Sequence, residues 1–308
     1  MAKKSYAKPF LKWAGGKTQL IAEIRRNLPP MVESNQFTYI EPFVGSGAVL
    51  FWMLNNFPNL KKAVINDINA DLINVYKIIA EQPKPLIEVL KEYQAQYHEL
   101  ESDEEIKKEY YYSKRELYNT RETTPITQAA LFIFLNRTCF NGLYRVNRKN
   151  LFNVPVGSYK RPTICDEENI LAVSDVLQNV EILNDDFEKT LSFAAENAFF
   201  YLDPPYKPLS ITSNFNSYAD SDFNDNEQIR LRDFCIKLDD RNSKWILSNS
   251  DVQDNDFLDE LFSKFKINRV KAKRFINSKV DKRGSLDELL ITNYQVGQSK
   301  EATQSILL

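Results

Sequence analysis

Thr38-Tyr-Ile-Glu-Pro-Phe-Val-Gly-Ser-Gly47 is a short apolar run that ends in a loop with two glycines. An apolar pattern of helical spacing follows from Ala48 to Asn55, and a second apolar run, Ala63 to Ile65, ends at Asn66-Asp67. A strand, a glycine loop, a helix and a second strand form the opening unit of a doubly wound sheet. This stretch therefore predicts an α/β fold, which residues 69–80 continue as the next helix.

The alternation of strands and helices stops after residue 80 and resumes near residue 180. Residues 83–122 have the charged pattern of surface helices, residues 127–135 that of an apolar helix, and residues 136–157 form a polar, basic loop region. Three buried strands and two closing antiparallel strands are predicted further along, at residues 180–183, 198–202, 244–247, 265–275 and 288–294. The chain is thus a doubly wound, Rossmann-like sheet interrupted by an insert.

The interruption divides the chain into a discontinuous catalytic domain, residues 1–72 and 166–308, and a mainly helical insert, residues 73–165. The net charge of −2 does not indicate a nucleic-acid partner, but the charges are segregated. Residues 123–165 contain six Lys or Arg and no Asp or Glu, and residues 264–283 contain nine basic residues and one Asp. Segregated charge can form a positive face on a neutral protein and favours nucleic-acid binding, although chance segregation remains an alternative here.

The composition is that of an ordinary globular protein, with 43% hydrophobic and 27% charged residues. No stretch approaches 18 uncharged apolar residues and the first ten residues lack an apolar signal segment, so we expect a cytoplasmic protein without membrane insertion. Three separated cysteines form no C-x-x-C pair, and we expect no disulfide and no metal site. The single histidine, His98, lies in a polar run, where we expect it to be solvated.

Asp203-Pro-Pro-Tyr206 directly follows the apolar run Ala198 to Leu202, which places it at the carboxyl edge of the predicted sheet. The residue types of this loop suit methyl transfer to an exocyclic amine of a nucleobase, such as N6 of adenine. That amine is a poor nucleophile because its lone pair is delocalised into the ring. The carboxylate of Asp203 and the carbonyl of Pro204 can accept its two N–H hydrogens, and the two prolines hold that carbonyl still. Tyr206 offers a face on which an extruded base can stack. A Pro-Pro turn that merely ends a strand is the alternative.

The loop Glu41 to Gly47 is a candidate cofactor site. Gly45 and Gly47 allow backbone N–H groups to approach a ligand, and Glu41 and Phe43 belong to the same loop. Asp67 follows the next strand, where an acid can bind the ribose hydroxyls of a nucleoside cofactor. The loop lacks a complete G-x-G-x-x-G, which fits an adenosyl cofactor without a pyrophosphate better than NAD, although NAD remains conceivable.

Two further strings contain candidate binding residues. Trp13-Ala-Gly-Gly-Lys17 can close over a cofactor, with Trp13 stacking on its adenine and Lys17 pairing with a carboxylate. A phosphate on Lys17 is possible, but the chain has no G-x-x-x-x-G-K-[ST] motif, which disfavours an ATP site. In the acid-free insert, Arg137 to Arg145 supplies arginines that can read guanine and an aromatic that can enter a base stack, but such residues also form simple loops.

Together these strings resemble the Dam-type family (D12 class, alpha group) of DNA adenine N6-methyltransferases. The resemblance extends over most of the chain, in the order of the family's motifs, and is carried by Lys12-Trp-Ala-Gly-Gly-Lys17, Glu41-Pro-Phe-Val-Gly-Ser-Gly47, Asn66-Asp-Ile-Asn69, Leu135-Asn-Arg137, Phe140-Asn-Gly-Leu143, Phe152-Asn-Val-Pro155, Asp203-Pro-Pro-Tyr-Lys-Pro-Leu-Ser210 and Ile246-Leu-Ser-Asn249. It implies S-adenosylmethionine as cofactor, double-stranded DNA as substrate and GATC as the target. It also implies a methyltransferase fold with residues 73–165 as the target-recognition domain.

The resemblance assigns roles to individual positions. Residues that correspond to cofactor contacts are Trp13, Lys17, Asp67 and Asp203, with Asp185 in the acidic segment Asp185-Asp186-Phe187 that lies near the cofactor's adenine. Asp203, Pro204, Pro205 and Tyr206 correspond to the catalytic loop. Positions that correspond to DNA contacts are Lys12, Phe140, Asn141, Leu143, Arg145 and Pro155, beside which Arg137 is a further candidate. Phe140 replaces what is often a Tyr, which keeps the ring and loses the hydroxyl.

Three alternatives differ in substrate or class. The same chemistry could act on N4 of cytosine or on an RNA base, since the Asp-Pro-Pro-Tyr string fits either amine. A DNA-binding protein without catalysis and a nucleotide-dependent dehydrogenase are the others. Cys139 is a poor candidate for a C5-cytosine nucleophile because no Pro precedes it, and a zinc deaminase is excluded by the missing H-x-E and C-x-x-C. For the biological role two alternatives stay open: a restriction-modification methylase with a partner endonuclease acting on the same site, and a solitary Dam-like enzyme.

Overall fold

The computed structural model describes residues 6–13, 17–205, 223–251, 256–273 and 285–295. The predicted base-stacking residue Tyr206 and the predicted Gly15-Gly16 turn lie outside these ranges.

Seven strands of the described chain form one sheet. They are β1 (Phe37–Glu41), β2 (Leu60–Asn66), β3 (Val180–Leu183), β4 (Ala198–Leu202), β5 (Lys244–Ser250), β6 (Lys266–Lys273) and β7 (Ser285–Thr292). Their order is β3-β2-β1-β4-β5-β7-β6; the first five run parallel, and β7 pairs antiparallel with both β5 and β6. The prediction of a doubly wound α/β sheet closed by antiparallel strands is confirmed.

Ten α-helices lie within the described residues. They are α1 (Ile21–Arg26), α2 (Met31–Ser34), α3 (Ala48–Asn56), α4 (Ala70–Glu81), α5 (Pro83–Glu99), α6 (Glu104–Thr120), α7 (Pro125–Thr138), α8 (Glu167–Leu177), α9 (Asp225–Asp239) and α10 (Phe257–Leu261). Short 3₁₀ segments span Lys17–Leu20, Leu100–Ser102, Phe140–Gly142 and Phe187–Phe193. None of these described helices is both long and apolar enough to cross a membrane.

Helix α7 is the central element of the insert. It begins with a proline at its first position after Thr124, whose hydroxyl accepts from the amide of Thr127, and nine of its residues are buried. Rings of α5 and α6 surround Phe134 edge-on, with centroid distances of 5.9 Å to Tyr93, 5.5 Å to Tyr97 and 5.8 Å to Tyr110. A helix that is apolar all round requires such a buried position.

The insert shares its hydrophobic core with one face of the sheet. A single buried cluster includes Tyr39 and Ile65 of the sheet together with Phe134 of α7. The predicted division between residues 72 and 73 falls within α4, whose residues on both sides of that point are buried. The insert and the sheet are therefore joined by packed side chains.

The environment predicted for His98 was wrong. Its side chain is half-buried, and its Nε2 lies 3.0 Å from the carbonyl oxygen of Pro162. The polar neighbours in sequence suggested solvent, but the chain returning from the insert toward α8 passes beside α5 and covers the ring. The three cysteines are free, and no group of three metal-ligating side chains occurs among the described residues.

Candidate active site

A cavity of about 820 Å³ opens at the carboxyl edge of the parallel strands. Strands β1, β2 and β4 end there, which brings Glu41, Asp67 and Asp203 together around it. Predicted residues that line the cavity are Trp13, Lys17, Glu41, Phe43, Gly45, Asp67, Asp185, Asp203, Pro204 and Pro205. Predicted cofactor and catalytic residues distant in sequence thus line one cavity of a size typical for small-molecule sites.

The glycine loop after β1 is tied to β2 by Asp67. Its Oδ2 accepts from the backbone N of Gly45 at 3.1 Å, and its Oδ1 accepts from the backbone N of Asn69 at 2.9 Å. Gly45 has a φ of +50°, a conformation that other residues adopt only at a cost. Burial raises the pKa of the Asp67 carboxyl, and the two backbone N–H bonds oppose this rise.

Gly47 differs from the other predicted loop residues because it does not line the cavity. Its φ is +73°, and a Cβ there would lie 2.5 Å from the hydroxyl oxygen of Tyr76 and 2.9 Å from a ring carbon of Phe51. The hydroxyl of Tyr76 in turn donates to the carbonyl of Gly45 at 3.0 Å. Gly47 therefore allows Tyr76 to reach and fix the loop, which is a packing role.

Asp203 shares the ammonium group of Lys17 with a second carboxylate. The Nζ of Lys17 lies 3.3 Å from Oδ1 of Asp203 and 3.0 Å from Oε2 of Glu288. Lys17 is buried, and the hydroxyl of Ser248 also reaches Glu288 at 3.3 Å. Glu288 lies on β7 and was not predicted as a site residue, since no nearby motif distinguishes it in the sequence.

The pKa of Asp203 is raised to about 6. Burial is the main cause, the ammonium group of Lys17 lowers the pKa, and the charge of Glu288 raises it. At neutral pH the carboxylate is therefore ionised and can accept hydrogen bonds. Only 20% of its side chain is exposed, so these acceptors face the cavity with little competition from water.

Glu41 forms part of the floor of the cavity. Its side chain is 2% exposed, and its Oε2 accepts from the hydroxyl of Tyr39 at 2.7 Å. Burial raises the pKa of Glu41 well above its usual range, and the bond from Tyr39 acts in the opposite direction. The buried carboxyl of Glu41, which lines the cavity, is thus held by a phenol on the same strand that lies outside the cavity lining.

The turn after β3 is fixed against the glycine loop by Asn66. The Nδ2 of Asn66 donates to the carbonyls of Pro42 at 3.1 Å and Asp185 at 2.9 Å, and its Oδ1 accepts from the backbone N of Asp185 at 2.9 Å. Asp186 also lines the cavity, but its carboxylate is engaged by Arg230 at 3.0 Å. Asp185 therefore remains the better candidate of the two acids for a ligand.

Trp13 connects the cavity to the insert. It lines the cavity, and a Cβ on Gly45 would lie 3.1 Å from its Nε1. Its ring also stacks on Tyr144, with centroids 5.4 Å apart and planes 18° apart, and Tyr144 stacks in turn on Phe132 of α7. Tyr144 was not singled out in the sequence, because its pairing with Trp13 depends on the packing of the insert.

Most predicted DNA contacts lie on one exposed surface next to Trp13, which we call the recognition face and define as Lys12, Phe140, Asn141, Arg145 and Pro155. The backbone N of Phe140 donates to the carbonyl of Pro155 at 2.9 Å. The Nε of Arg145 donates to Oδ1 of Asn153 at 2.7 Å, which orients the guanidinium group. Leu143, between these residues, is half-buried against the core.

Asn136 holds the recognition face to the N-terminal segment. Its amide accepts from the backbone N of Lys12 at 2.8 Å and donates to the carbonyls of Lys12 at 2.8 Å and Gly142 at 2.9 Å. The side chain of Asn136 is 1% exposed, so its end of each bond is shielded from water. Asn136 belongs to the string Leu135-Asn-Arg137, but nothing in that string indicates which backbone groups it binds.

Arg137 is separate from the recognition face. Its side chain is half-buried, and its Nη2 donates to the carbonyl of Phe10 at 2.8 Å. Burial lowers the pKa of its guanidinium group, and its Nε contacts no acceptor among the described residues. In the structure Arg137 binds the N-terminal segment, whereas the exposed Arg145 is available to a partner.

The structure therefore combines a doubly wound sheet, a cavity at its carboxyl edge beside the Asp-Pro-Pro loop, and an adjoining exposed face with basic residues. These are the features that the sequence predicts for a Rossmann-like methyltransferase that acts on nucleic acid. The model of the family described as D12 class N6 adenine-specific DNA methyltransferase matches residues 13–276. The chain belongs to this family, and the predicted family resemblance is confirmed. Its substrate base is therefore adenine in DNA, which decides against the cytosine, RNA and dehydrogenase alternatives.

Similar proteins match along nearly the whole chain. The type II methyltransferase M.MjaIII of Methanocaldococcus jannaschii is 50% identical over 93% of this chain and 99% of its own. The type II methyltransferase M1.LlaDCHI of Lactococcus lactis subsp. cremoris is 40% identical, over 93% and 95% of the two chains. The DNA adenine methylase of Haemophilus influenzae is 36% identical, over 92% of each.

Proposed function

We propose that this protein transfers the methyl group of S-adenosylmethionine to N6 of adenine within double-stranded GATC. The observation that carries the proposal is the position of Asp203. Its carboxylate lies at the end of β4, lines the cavity together with Pro204, and is held by Lys17 on the segment that also supplies Trp13. One edge of the sheet thus offers a cofactor site and two acceptors for an amine.

The residues of the cavity fit S-adenosylmethionine, which when bound would supply an electrophilic methyl group on a sulfonium. Asp67 has lone pairs left for ribose hydroxyls after binding Gly45 and Asn69. Trp13 and Phe43 supply aromatic surface, Lys17 a cation for the carboxylate of the methionine part, and Asp185 a polar group near the adenine end. Glu41 and Gly45 also line the cavity, while Gly47 lies outside it and contacts Tyr76 and Phe51.

Asp203 and Pro204 are the proposed acceptors of the two N6 hydrogens. Their bonds would localise the lone pair of the amine on N6 and direct it at the methyl group. The proton that N6 loses after the transfer can pass to the carboxylate of Asp203, whose pKa of about 6 lies close enough to neutrality for both uptake and release. Pro205 fixes the backbone, and Tyr206 is proposed to stack on the flipped adenine.

Residues 73–165 are proposed as the target-recognition domain. The exposed side chains of Lys12, Arg145 and Pro155, with Leu143 between them, are proposed to read base edges in GATC. Phe140 is 48% exposed and Asn141 adopts a φ of +56°, which presents both residues at a turn suited to entering the opened base stack. Arg137 is proposed to support this surface through Phe10, with DNA contact as the lesser part of its role.

The similar proteins include type II methyltransferases and DNA adenine methylases. A restriction-modification role would supply a partner endonuclease acting on the same site, and a solitary role would not. The genes that flank the coding sequence distinguish the two.

The testing experiment is methylation of unmethylated duplex DNA of random sequence with S-adenosylmethionine, followed by mapping of each modified base. N6-methyladenine confined to GATC is the expected result. N6-methyladenine in another sequence would refute the recognition assignments and leave the chemistry intact. We also expect Asp203→Ala to abolish turnover while cofactor affinity stays within about tenfold, since other cavity residues hold most of the cofactor; retained turnover would refute the mechanism.

A further inference from the structure

Lys107 is a buried lysine that the proposed recognition and catalysis do not use. It lies on α6 with a relative exposure of 4%, whereas its neighbours Lys108 and Glu109 are exposed. A buried ammonium group is costly unless its donors are satisfied, so its partners show what it holds in place.

Its partners are two successive backbone carbonyls on the chain that leaves the insert. The Nζ of Lys107 donates to the carbonyl of Tyr159 at 3.0 Å and to that of Lys160 at 2.8 Å. The ring of Tyr97 covers the same ammonium group at 4.8 Å from its centroid. Two adjacent carbonyls that converge on one cation leave the backbone at residues 159–160 little freedom.

Tyr159 carries this restraint to the recognition face. The Nζ of Lys12 lies 4.3 Å from the centroid of the Tyr159 ring and donates to its hydroxyl oxygen at 3.2 Å. A Cβ on Gly157 would lie 2.8 Å from a ring carbon of Tyr159, so the ring has no room on that side. The aliphatic part of the Lys12 side chain is confined by Gly142, since a Cβ on Gly142 would lie 2.7 Å from the Cβ of Lys12.

We propose that Lys107 is a positioning residue for target recognition. Its buried ammonium group fixes the backbone of Tyr159 and Lys160, and Tyr159 in turn fixes the ammonium group of Lys12 toward the DNA. The inference rests on the proposed function, in which Lys12 reads one base of the target. A side chain held in its binding position loses less conformational entropy on binding, so Lys107 contributes to discrimination without touching DNA.

The test compares Lys107→Met with Lys108→Met as the matched control on the same helix. Methylation rates are measured on the cognate duplex and on duplexes altered at each position of the target, and Lys12→Ala identifies the position that Lys12 reads. At that position we expect Lys107→Met to reduce discrimination about tenfold, which lies within the range of the effect of one base contact. Discrimination at the other positions and all rates of Lys108→Met are expected to stay unchanged.

The double variant Lys12→Ala with Lys107→Met shows whether Lys107 acts through Lys12. We expect no further loss of discrimination beyond that of Lys12→Ala, because the positioned group is already absent. An equal loss at every position, or a lower melting temperature with unchanged discrimination, would reduce Lys107 to a structural residue. If Lys107→Met does not fold, Tyr159→Leu replaces it with the same expected position-specific loss and the same refuting outcomes.

Failure of the inference and failure of the proposed function give different results. If Lys12→Ala relaxes one position and Lys107→Met does not, only the positioning role is refuted. If Lys12→Ala relaxes no position, the proposed base contact fails, and the role of Lys107 in recognition fails with it.

Discussion

Replacing Asp203 by asparagine separates the charge of this side chain from its shape. The amide keeps one oxygen that can accept from N6, but it cannot ionise. In the wild type, burial raises the pKa of Asp203 to about 6, so its carboxyl group must lose a proton near that pH before it can act as a base and as a charged hydrogen-bond acceptor. The variant lacks this requirement.

The expected magnitudes follow from that pKa. About one tenth of the Asp203 side chains are ionised at pH 5, so kcat/KM of the wild type should fall about tenfold per pH unit below pH 6. Asp203→Asn should be slower by about 10²–10⁴-fold at pH 8, because the amide cannot take up the proton that N6 loses and also forms a weaker bond with the amine, and its profile should be flat from pH 5 to 8.

The contribution of Asp203 to the free energy of unfolding should change with pH in the direction opposite to activity, since it falls as the pH rises. Because the pKa is higher in the folded state than in the unfolded state, the folded protein binds this proton more tightly. Its contribution is full below about pH 4 and is lost as the pH rises through 6, a loss of roughly 3 kcal/mol for a shift of about two pKa units. Asp203→Asn escapes this loss, so its free energy of unfolding relative to wild type should increase between pH 4 and pH 7.

The assays are initial methylation rates on a cognate duplex across pH 5 to 8.5 and urea unfolding across pH 4 to 8. Asp175→Asn, an exposed position on α8, is the matched control and should reproduce the wild-type curves. If Asp203→Asn keeps a tenfold fall per unit below pH 6, another group controls the acid limb and the role assigned to Asp203 is refuted.

Three further changes test other parts of the site. Glu288→Gln removes a charge that raises the pKa of Asp203, so the acid limb of the variant's pH–rate profile should lie at lower pH than that of the wild type. A shift to higher pH would contradict the electrostatic account. Arg145→Ala should relax discrimination at one base position by about 1–3 kcal/mol in competitive methylation, whereas a uniform loss on all sequences would identify a phosphate contact. Gly47→Ala should lower the free energy of unfolding by about 2–4 kcal/mol in urea, from its positive φ and the contacts with Tyr76 and Phe51; a loss below about 1 kcal/mol would show that the loop adapts.

The sequence by itself determined the sheet and the residues at its edge. Strands and motif loops are local patterns: the run before Gly45 is buried because it is apolar, and Asp67 and Asp203 lie at strand ends because they directly follow apolar strands. Parallel strands of one sheet present their carboxyl ends at one edge, so three such loops had to meet. The bounds of the antiparallel closing strands were also predicted to within a few residues.

Tertiary structure alone decided which polar groups pair with one another. Lys17 and Glu288 are 271 residues apart, and Lys12 and Asn136 are 124 apart, so no local pattern relates them. Arg137 and Arg145 belong to the same basic stretch, yet packing half-buries the first, which binds the carbonyl of Phe10, and leaves the second exposed. His98 and Lys107 lie in polar runs of helices, and both contact backbone carbonyls of the returning chain, which their own sequence neighbours do not indicate. The physical reason is that burial and hydrogen bonding of polar side chains depend on which surfaces meet in the folded chain, and residue type alone does not fix this.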